Sequence, residues 1–186
     1  LLLQLQGNLP FGATEPVVCG RLDQVNDRVA FVYGRSYLDR EDAVSIYDFE
    51  LPLRSGYQYP ASTQARGVPL CIDDALPDSW GRRLINHRLN EPTREFGDLT
   101  YLLESGSDRI GALDFQASAD VHVPREADTA TLDELATASE RIETGQPLSA
   151  ALDAALLRGT SIGGARPKAL IDDGDRKLIA KFSSTA

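Results

Sequence analysis

The stretch "RGTSIGGARPKAL", residues 158–170, sets Gly163 and Gly164 beside Thr160 and Ser161 and among Arg158, Arg166 and Lys168. Glycine lets bare backbone N–H groups approach a phosphate closely, and cations beyond the loop complete such a site. Further on, "LIAKF" carries Lys181 in an otherwise apolar run. Gly159 and Gly164 have the separation of a Walker loop, but Ala165 stands where that motif demands lysine, and the stretch is not GxGxxG either. A solvated glycine–serine turn is the plain alternative. The order of parts favours phosphate: glycine loop, strand, Asp173-Gly174 turn, strand with lysine. Protein kinases use that order, with a glycine-rich loop over the nucleotide and a lysine on a following strand reaching its α and β phosphates. A solvent-facing edge residue is the competing reading of Lys181.

Other reactive residue types are poorly placed. Asp73 and Asp74 are neighbours before a helix and read as solvated carboxylates. His87 sits among arginines in "RRLINHR", a modest basic face suited to a partner carboxylate and too small for general DNA binding. Asp172, Asp173 and Asp175 crowd a turn, which explains them without a metal. Cys19 and Cys71, with His87 and His122 as the only histidines, lack the spacing of a zinc site and are too few for a disulfide framework. This cysteine usage points to a reducing, cytoplasmic compartment.

The elements that would hold these residues change character along the chain. Residues 1–70 carry short β-type runs, "VVCGRL", "RVAFVYG", "VSIYDFEL" and "YQYPAS". Alternation at Val29, Phe31 and Tyr33 predicts a half-buried strand in a mostly antiparallel unit. From Asp73 the period becomes helical. Pro77 and Asp78 open a helix with Asp78 as N-cap, and Trp80, Leu84, Ile85 and Leu89 share a face. A second helix is expected over "EFGDLTYLLESG", with Phe96, Leu99, Leu102 and Leu103 inward and Gly106 ending it. A strand at "RIGALDF" and a polar linker over 117–130 follow. Thr131 and Glu134 form a capping box for a helix carrying Leu132, Leu135, Ala138 and Ile142, closed by Gly145. "LSAALDAALL" reads as a shorter helix. "KALID" and "DRKLIAKF" flank Asp173-Gly174 as a hairpin, since glycine tolerates positive φ.

The bulk numbers narrow the classes. The chain has 186 residues, 42% of them apolar and 25% charged, with a net charge of −9. That acidity repels nucleic acid and anionic membrane, so contact with DNA would need a basic partner. No apolar run is long enough to span a bilayer, and the start lacks the basic region of a signal peptide. The absence of methionine, with a first residue inside a strand, predicts a piece of a longer polypeptide.

Together, "LPDSWGRRL", "LLESGSDRIGAL" and "TSIGGARPKAL…LIAKF" resemble the HipA family of type II toxin–antitoxin kinases, from about residue 40 to the end, with the first forty residues only loosely similar. The resemblance implies an α+β chain: a small β-rich N-terminal subdomain with helices at 1–125, then the start of a protein-kinase-like N-lobe at 126–186. It implies serine/threonine kinase activity with ATP and Mg2+, the metal held mainly by residues beyond this chain. The catalytic-loop aspartate and asparagine and the metal-binding aspartate also belong downstream, so this piece alone should be inactive. Expected targets are translation components such as an aminoacyl-tRNA synthetase, with growth arrest and bacterial persistence as the outcome. The expected partner is a HipB-like helix-turn-helix antitoxin, which would carry the complex to operator DNA. By position, Gly163, Gly164, Ala165, Arg166, Pro167 and Lys168 would form the nucleotide loop and Lys181 would bind phosphate. Ser161 would be autophosphorylated, with Thr160 as the rival acceptor. The competing class is a stand-alone, non-catalytic N-terminal module acting as an antitoxin or adaptor.

Overall fold

In a computed structural model of the chain, the described residues are 2–5, 16–61, 64–107, 109, 111–124, 131–149, 153, 168–173 and 176–182. They form an α+β protein with two small antiparallel sheets. The first joins β1 (Leu2–Leu5), β2 (Val17–Val25), β3 (Arg28–Tyr33) and β4 (Leu113–Gln116) in the order β3-β2-β1-β4. The second pairs β5 (Lys168–Asp173) with β6 (Arg176–Lys181).

Two compact units result. One comprises residues 1–76 and 111–123; the other comprises 77–110 and 124–186. The second grouping differs from the expected boundary at 125/126, because the helical stretch 77–110 joins the C-terminal residues. The reason is apolar burial: Trp80 and Leu84 share one cluster with Leu135, Ala138 and Ala169, against which Ile142, Leu148, Ile171 and Phe182 also pack.

In the first unit, β3 follows its alternation. Val29, Phe31 and Tyr33 are buried, and Ala30 is buried with them. Across the ladder, Gly20 faces Tyr33. A Cβ on Gly20 would lie 2.4 Å from the Val32 carbonyl and 2.5 Å from the Phe31 ring, so only glycine fits there. Two expected strands do not form. Over "VSIYDFEL" there is only an isolated bridge, Tyr47 to Leu51. Its backbone groups are taken by tyrosine hydroxyls instead: Tyr33 Oη accepts from Ile46 N at 2.9 Å and donates to Leu51 O at 2.6 Å, and Tyr37 Oη donates to Val44 O at 2.9 Å. In "YQYPAS" the pairing is confined to Gln58 with Phe31, and Pro60 cannot donate to extend it. Short helices α1 (Arg35–Leu38) and α2 (Leu70–Asp73) carried no periodic signal.

In the second unit, α3 (Ser79–Arg88) starts at the expected N-cap, Asp78, whose Oδ1 accepts from Gly81 N at 2.8 Å. Trp80, Leu84 and Ile85 are buried, while Leu89 is only half-buried at the helix end. Helix α4 (Asp98–Glu104) is shorter than 95–106. Gly97 is extended at its start, and Ser105, not Gly106, ends it: Ser105 is extended and its Oγ donates to Tyr101 O at 2.5 Å. Tyr101, absent from the expected inward face, is buried; Leu102 is as expected, and Phe96, Leu99 and Leu103 are half-buried.

Helix α5 (Leu132–Glu143) has the complete capping box, and Gly145 takes φ +69° just past its end. Leu132 was expected inward but is 55% exposed. It opens the helix one turn short of Leu135, beyond the cluster. The hydrogen bonds from the Thr131 backbone and hydroxyl hold the Glu134 carboxyl below its ordinary value of 4.5. A depressed carboxyl contributes stability above its unfolded pKa and loses it as pH falls through the folded one. Glu134→Gln should therefore lower the Tm at pH 6 and leave it nearly unchanged at pH 3, as read by thermal unfolding of both proteins.

Asp173 pairs with Arg176, so the two residues between the paired strands are 174 and 175, one later than the Asp173-Gly174 turn expected. Those two residues, the linker positions 125–130 and all of the expected helix at 148–157 except residues 148, 149 and 153 lie outside the described set.

Candidate functional site

Helix α3 and strand β5 meet at one charged contact. Asp78 is held at the mouth of α3 by its capping bond, which uses Oδ1. Its other oxygen, Oδ2, lies 3.2 Å from Lys168 Nζ. The lysine side chain is only 3% exposed and the aspartate 18%. The Lys168 carbonyl accepts from Trp80 Nε1 at 3.4 Å. One residue of β5 is thus tied to the first turn of α3 through both its side chain and its backbone. A buried ammonium is costly unless paired and hydrogen-bonded, and Asp78 meets that requirement.

Lys168 stands directly opposite Lys181 in the β5–β6 ladder. Directly opposed residues share a face, and like charges there repel. Asp78 offsets one of the two charges. Lys181 is exposed. Ala169 and Ile171 alternate with Lys168 along β5 and pack into the apolar cluster, so Lys168 and Lys181 lie on the other face of the hairpin, beside the Leu170–Ile179 pair. An anion approaching that second face would meet Lys181.

The remaining residues expected at this site, Ser161, Gly163, Gly164, Ala165, Arg166 and Pro167, lie outside the described set, as do Arg158 and Thr160. Asp78 was legible as a cap but not as the partner of Lys168. A carboxylate has about four lone-pair positions and serves both roles.

The basic face of α3 is occupied within its own unit. Arg82 pairs with Asp98 at 2.8 Å and lies over the Tyr101 ring, 4.2 Å from its centroid. Arg88 pairs with Glu104 at 2.6 Å. Arg83 lies over the Trp80 ring. The carboxylates expected from a partner are supplied by α4. His87 is half-buried, its Nε2 3.1 Å from Gln146 O. Asp73 pairs with Arg66 at 3.0 Å on an exposed surface.

Cys19 and Cys71 are free thiols. Burial pushes Cys19 up to about 12, and burial with the nearby Glu50 charge pushes Cys71 up to about 11. Both are neutral at pH 7, which is the opposite of what a thiolate nucleophile needs. Among the described residues no cluster of His, Cys, Asp or Glu could hold a metal ion, and no helix is long and apolar enough to cross a membrane.

The first unit carries a different surface. Phe49 is 82% exposed, and Tyr47, Leu53, Tyr57 and Tyr59 are each partly exposed in the same segment. Tyr57 Oη donates to Asp23 at 2.8 Å and accepts from Arg21 at 3.0 Å, which fixes one end of that surface. Burial raises the Asp23 carboxyl, but the bonds from Tyr57 and Arg21 outweigh it and the net shift is downward.

No curated protein and no solved structure matches the chain. The model of one family, the HipA N-terminal domain, matches residues 14–116. The match includes β2, β3, α3, α4 and β4, starts well inside the first forty residues, where the motifs gave only a loose resemblance, and stops before β5 and β6. It spans more than half of the sequence, and on that ground the chain belongs to the family of the HipA N-terminal domain.

Proposed function

We propose that this chain is the N-terminal part of a HipA-like toxin, a serine/threonine protein kinase that uses ATP and Mg2+ to phosphorylate a translation component such as an aminoacyl-tRNA synthetase. The observation that carries the reading is the exposed Lys181 on the second strand of an antiparallel hairpin, whose first strand directly follows the glycine-rich residues 163–167 in sequence. A protein kinase needs its phosphate-binding lysine in that position. Bound ATP supplies the phosphoryl group. Lys181 would orient its α and β phosphates, and backbone N–H groups of residues 163–166 would line the other side. Magnesium and the catalytic base would fall to residues beyond Ala186.

A HipB-like helix-turn-helix antitoxin would neutralise the toxin and supply the basic surface for operator DNA that a chain of net charge −9 lacks. The second reading, a stand-alone antitoxin or adaptor module, is favoured by one observation, the exposed aromatic surface around Phe49. The coding sequence past Ala186 separates the two. A catalytic loop of HxxD type supports the kinase, and a stop codon supports the module.

Ser161 gives the kinase reading a sharper test. Its Oγ would attack the γ-phosphorus of ATP and give its proton to the catalytic base beyond Ala186, as the bond from that phosphorus to the β-phosphate oxygen breaks and ADP leaves. Phosphoserine carries roughly −1.5 to −2 charges, which repel the phosphates of a second nucleotide. With Lys168 held by Asp78, Arg158 and Arg166 are the cations left to hold the modified serine outward. Incubation of the complete encoded protein with ATP and Mg2+ should yield phosphate at Ser161 by mass spectrometry, and the modified form should bind ATP at least about tenfold more weakly. Phosphate on Thr160 alone, or unchanged affinity after modification of Ser161, ends this self-limiting switch.

A further inference from the structure

We infer that Lys168 is not a phosphate ligand. Asp78, Trp80 and Lys168 form a buried latch that fixes the first residue of β5 onto the first turn of α3, and of the facing pair Lys168–Lys181 it is Lys181 that would meet phosphate. The part concerning phosphate rests on the kinase reading above; the latch itself does not.

Three observations carry the inference. The Lys168 ammonium is nearly inaccessible and has a carboxylate oxygen at 3.2 Å, whereas the lysine opposite it is exposed. The same residue is also gripped by its carbonyl, through the Trp80 indole N–H. Asp78 is itself immobilised, because its second oxygen caps α3 through Gly81 N. A lysine meant for a nucleotide must trade water for phosphate at low cost. Lys168 would have to abandon a fixed carboxylate first and leave that carboxylate partly buried and unpaired.

Latching also accounts for a register problem. Residue 168 is the first position of β5 and follows the glycine-rich residues directly. A slip of one residue would exchange the two faces of the strand and carry Ala169 and Ile171 out of the apolar cluster. A charge pair that forms only when Lys168 lies beside Asp78 penalises that slip.

The test uses Asp78→Asn and Lys168→Met, alone and together. Asparagine caps a helix about as well as aspartate, so Asp78→Asn removes the charge partner and keeps the cap. Methionine retains much of the length of lysine without the charge. Urea unfolding of the chain is followed through Trp80, the one tryptophan in the sequence. Each single variant should raise the unfolding equilibrium constant by about tenfold to a hundredfold, because each breaks the buried Asp78–Lys168 pair and keeps one of its two charges. The double variant should return to within about threefold of the wild type, because both charges of the pair are then gone. Single effects that simply add in the double variant overturn the latch.

The second readout is ATP affinity of the complete encoded protein. The double variant should bind ATP within about threefold of the wild type. A loss of tenfold or more, in a double variant whose unfolding curve matches the wild type, makes Lys168 a phosphate ligand and overturns the inference. If the wild type itself binds no ATP, the kinase reading fails, and the unfolding cycle alone decides the latch.

Discussion

Trp80→Ala should destabilise the unit formed by residues 77–110 and 124–186 by about 3–5 kcal/mol, the range for deleting a fully buried aromatic side chain. Trp80 is 0% exposed and belongs to the cluster that contains residues from α3, α5 and β5. Leu84, Leu135 and Ala169 around it relax only partly into a gap of that size. The indole N–H also donates to the Lys168 carbonyl, and its loss adds to the effect. Trp80→Phe separates the terms: it keeps much of the ring volume and drops the donor, and should cost about 1–3 kcal/mol. Leu132→Ala is the control. Leu132 lies on the same helix face by sequence pattern but is 55% exposed, so its loss should stay within about 0.5 kcal/mol. Urea unfolding followed by circular dichroism measures all three. Hydrogen exchange should place the loss of protection in α3 and α5 and leave β2 and β3 protected. A Trp80→Ala cost below about 1 kcal/mol would mean that the cluster is not the core of its unit.

The largest functional effect is expected at Lys181. In the complete encoded protein, Lys181→Ala should cut phosphorylation of the substrate and of Ser161 by at least about a hundredfold, the scale for removing one group that stabilises transition-state charge. The fold should survive. Lys181 is exposed, and the hairpin buries its opposite face through Ala169 and Ile171. Unchanged circular dichroism and an unfolding midpoint close to wild type would confirm that the loss is chemical. A folded variant with normal activity would return Lys181 to the role of a solvent-facing edge residue. The Lys168 variants provide the contrast: the residue opposite Lys181 should matter for stability and little for nucleotide.

Local chemistry was readable from the residues alone wherever the partners lie within a few positions of one another. Asp78 caps α3 through Gly81, and Thr131 and Glu134 satisfy each other at the start of α5, because each pair is separated by three residues and needs only a helical turn between them. Alternation was enough for β3, and an antiparallel hairpin near residue 174 followed from turn chemistry, although the ladder sets the connection one residue later than expected.

Three-dimensional packing decided the rest. "VSIYDFEL" has the composition of a strand, yet the hydroxyls of Tyr33 and Tyr37 take its backbone groups and leave Phe49 in solvent. Tyr101 is buried and Leu132 exposed because helix length and position, not periodicity, determine which end of an apolar stripe reaches the core. Strand β4 closes the first sheet by pairing with β1 from the far end of the matched region. Asp78 finds Lys168 ninety residues later in the chain. A cap senses neighbours one turn away, whereas a buried charge pair exists only after two distant elements have packed. That difference in range is why the sequence pointed to both lysines, and only the tertiary structure distinguished the buried one from the exposed one.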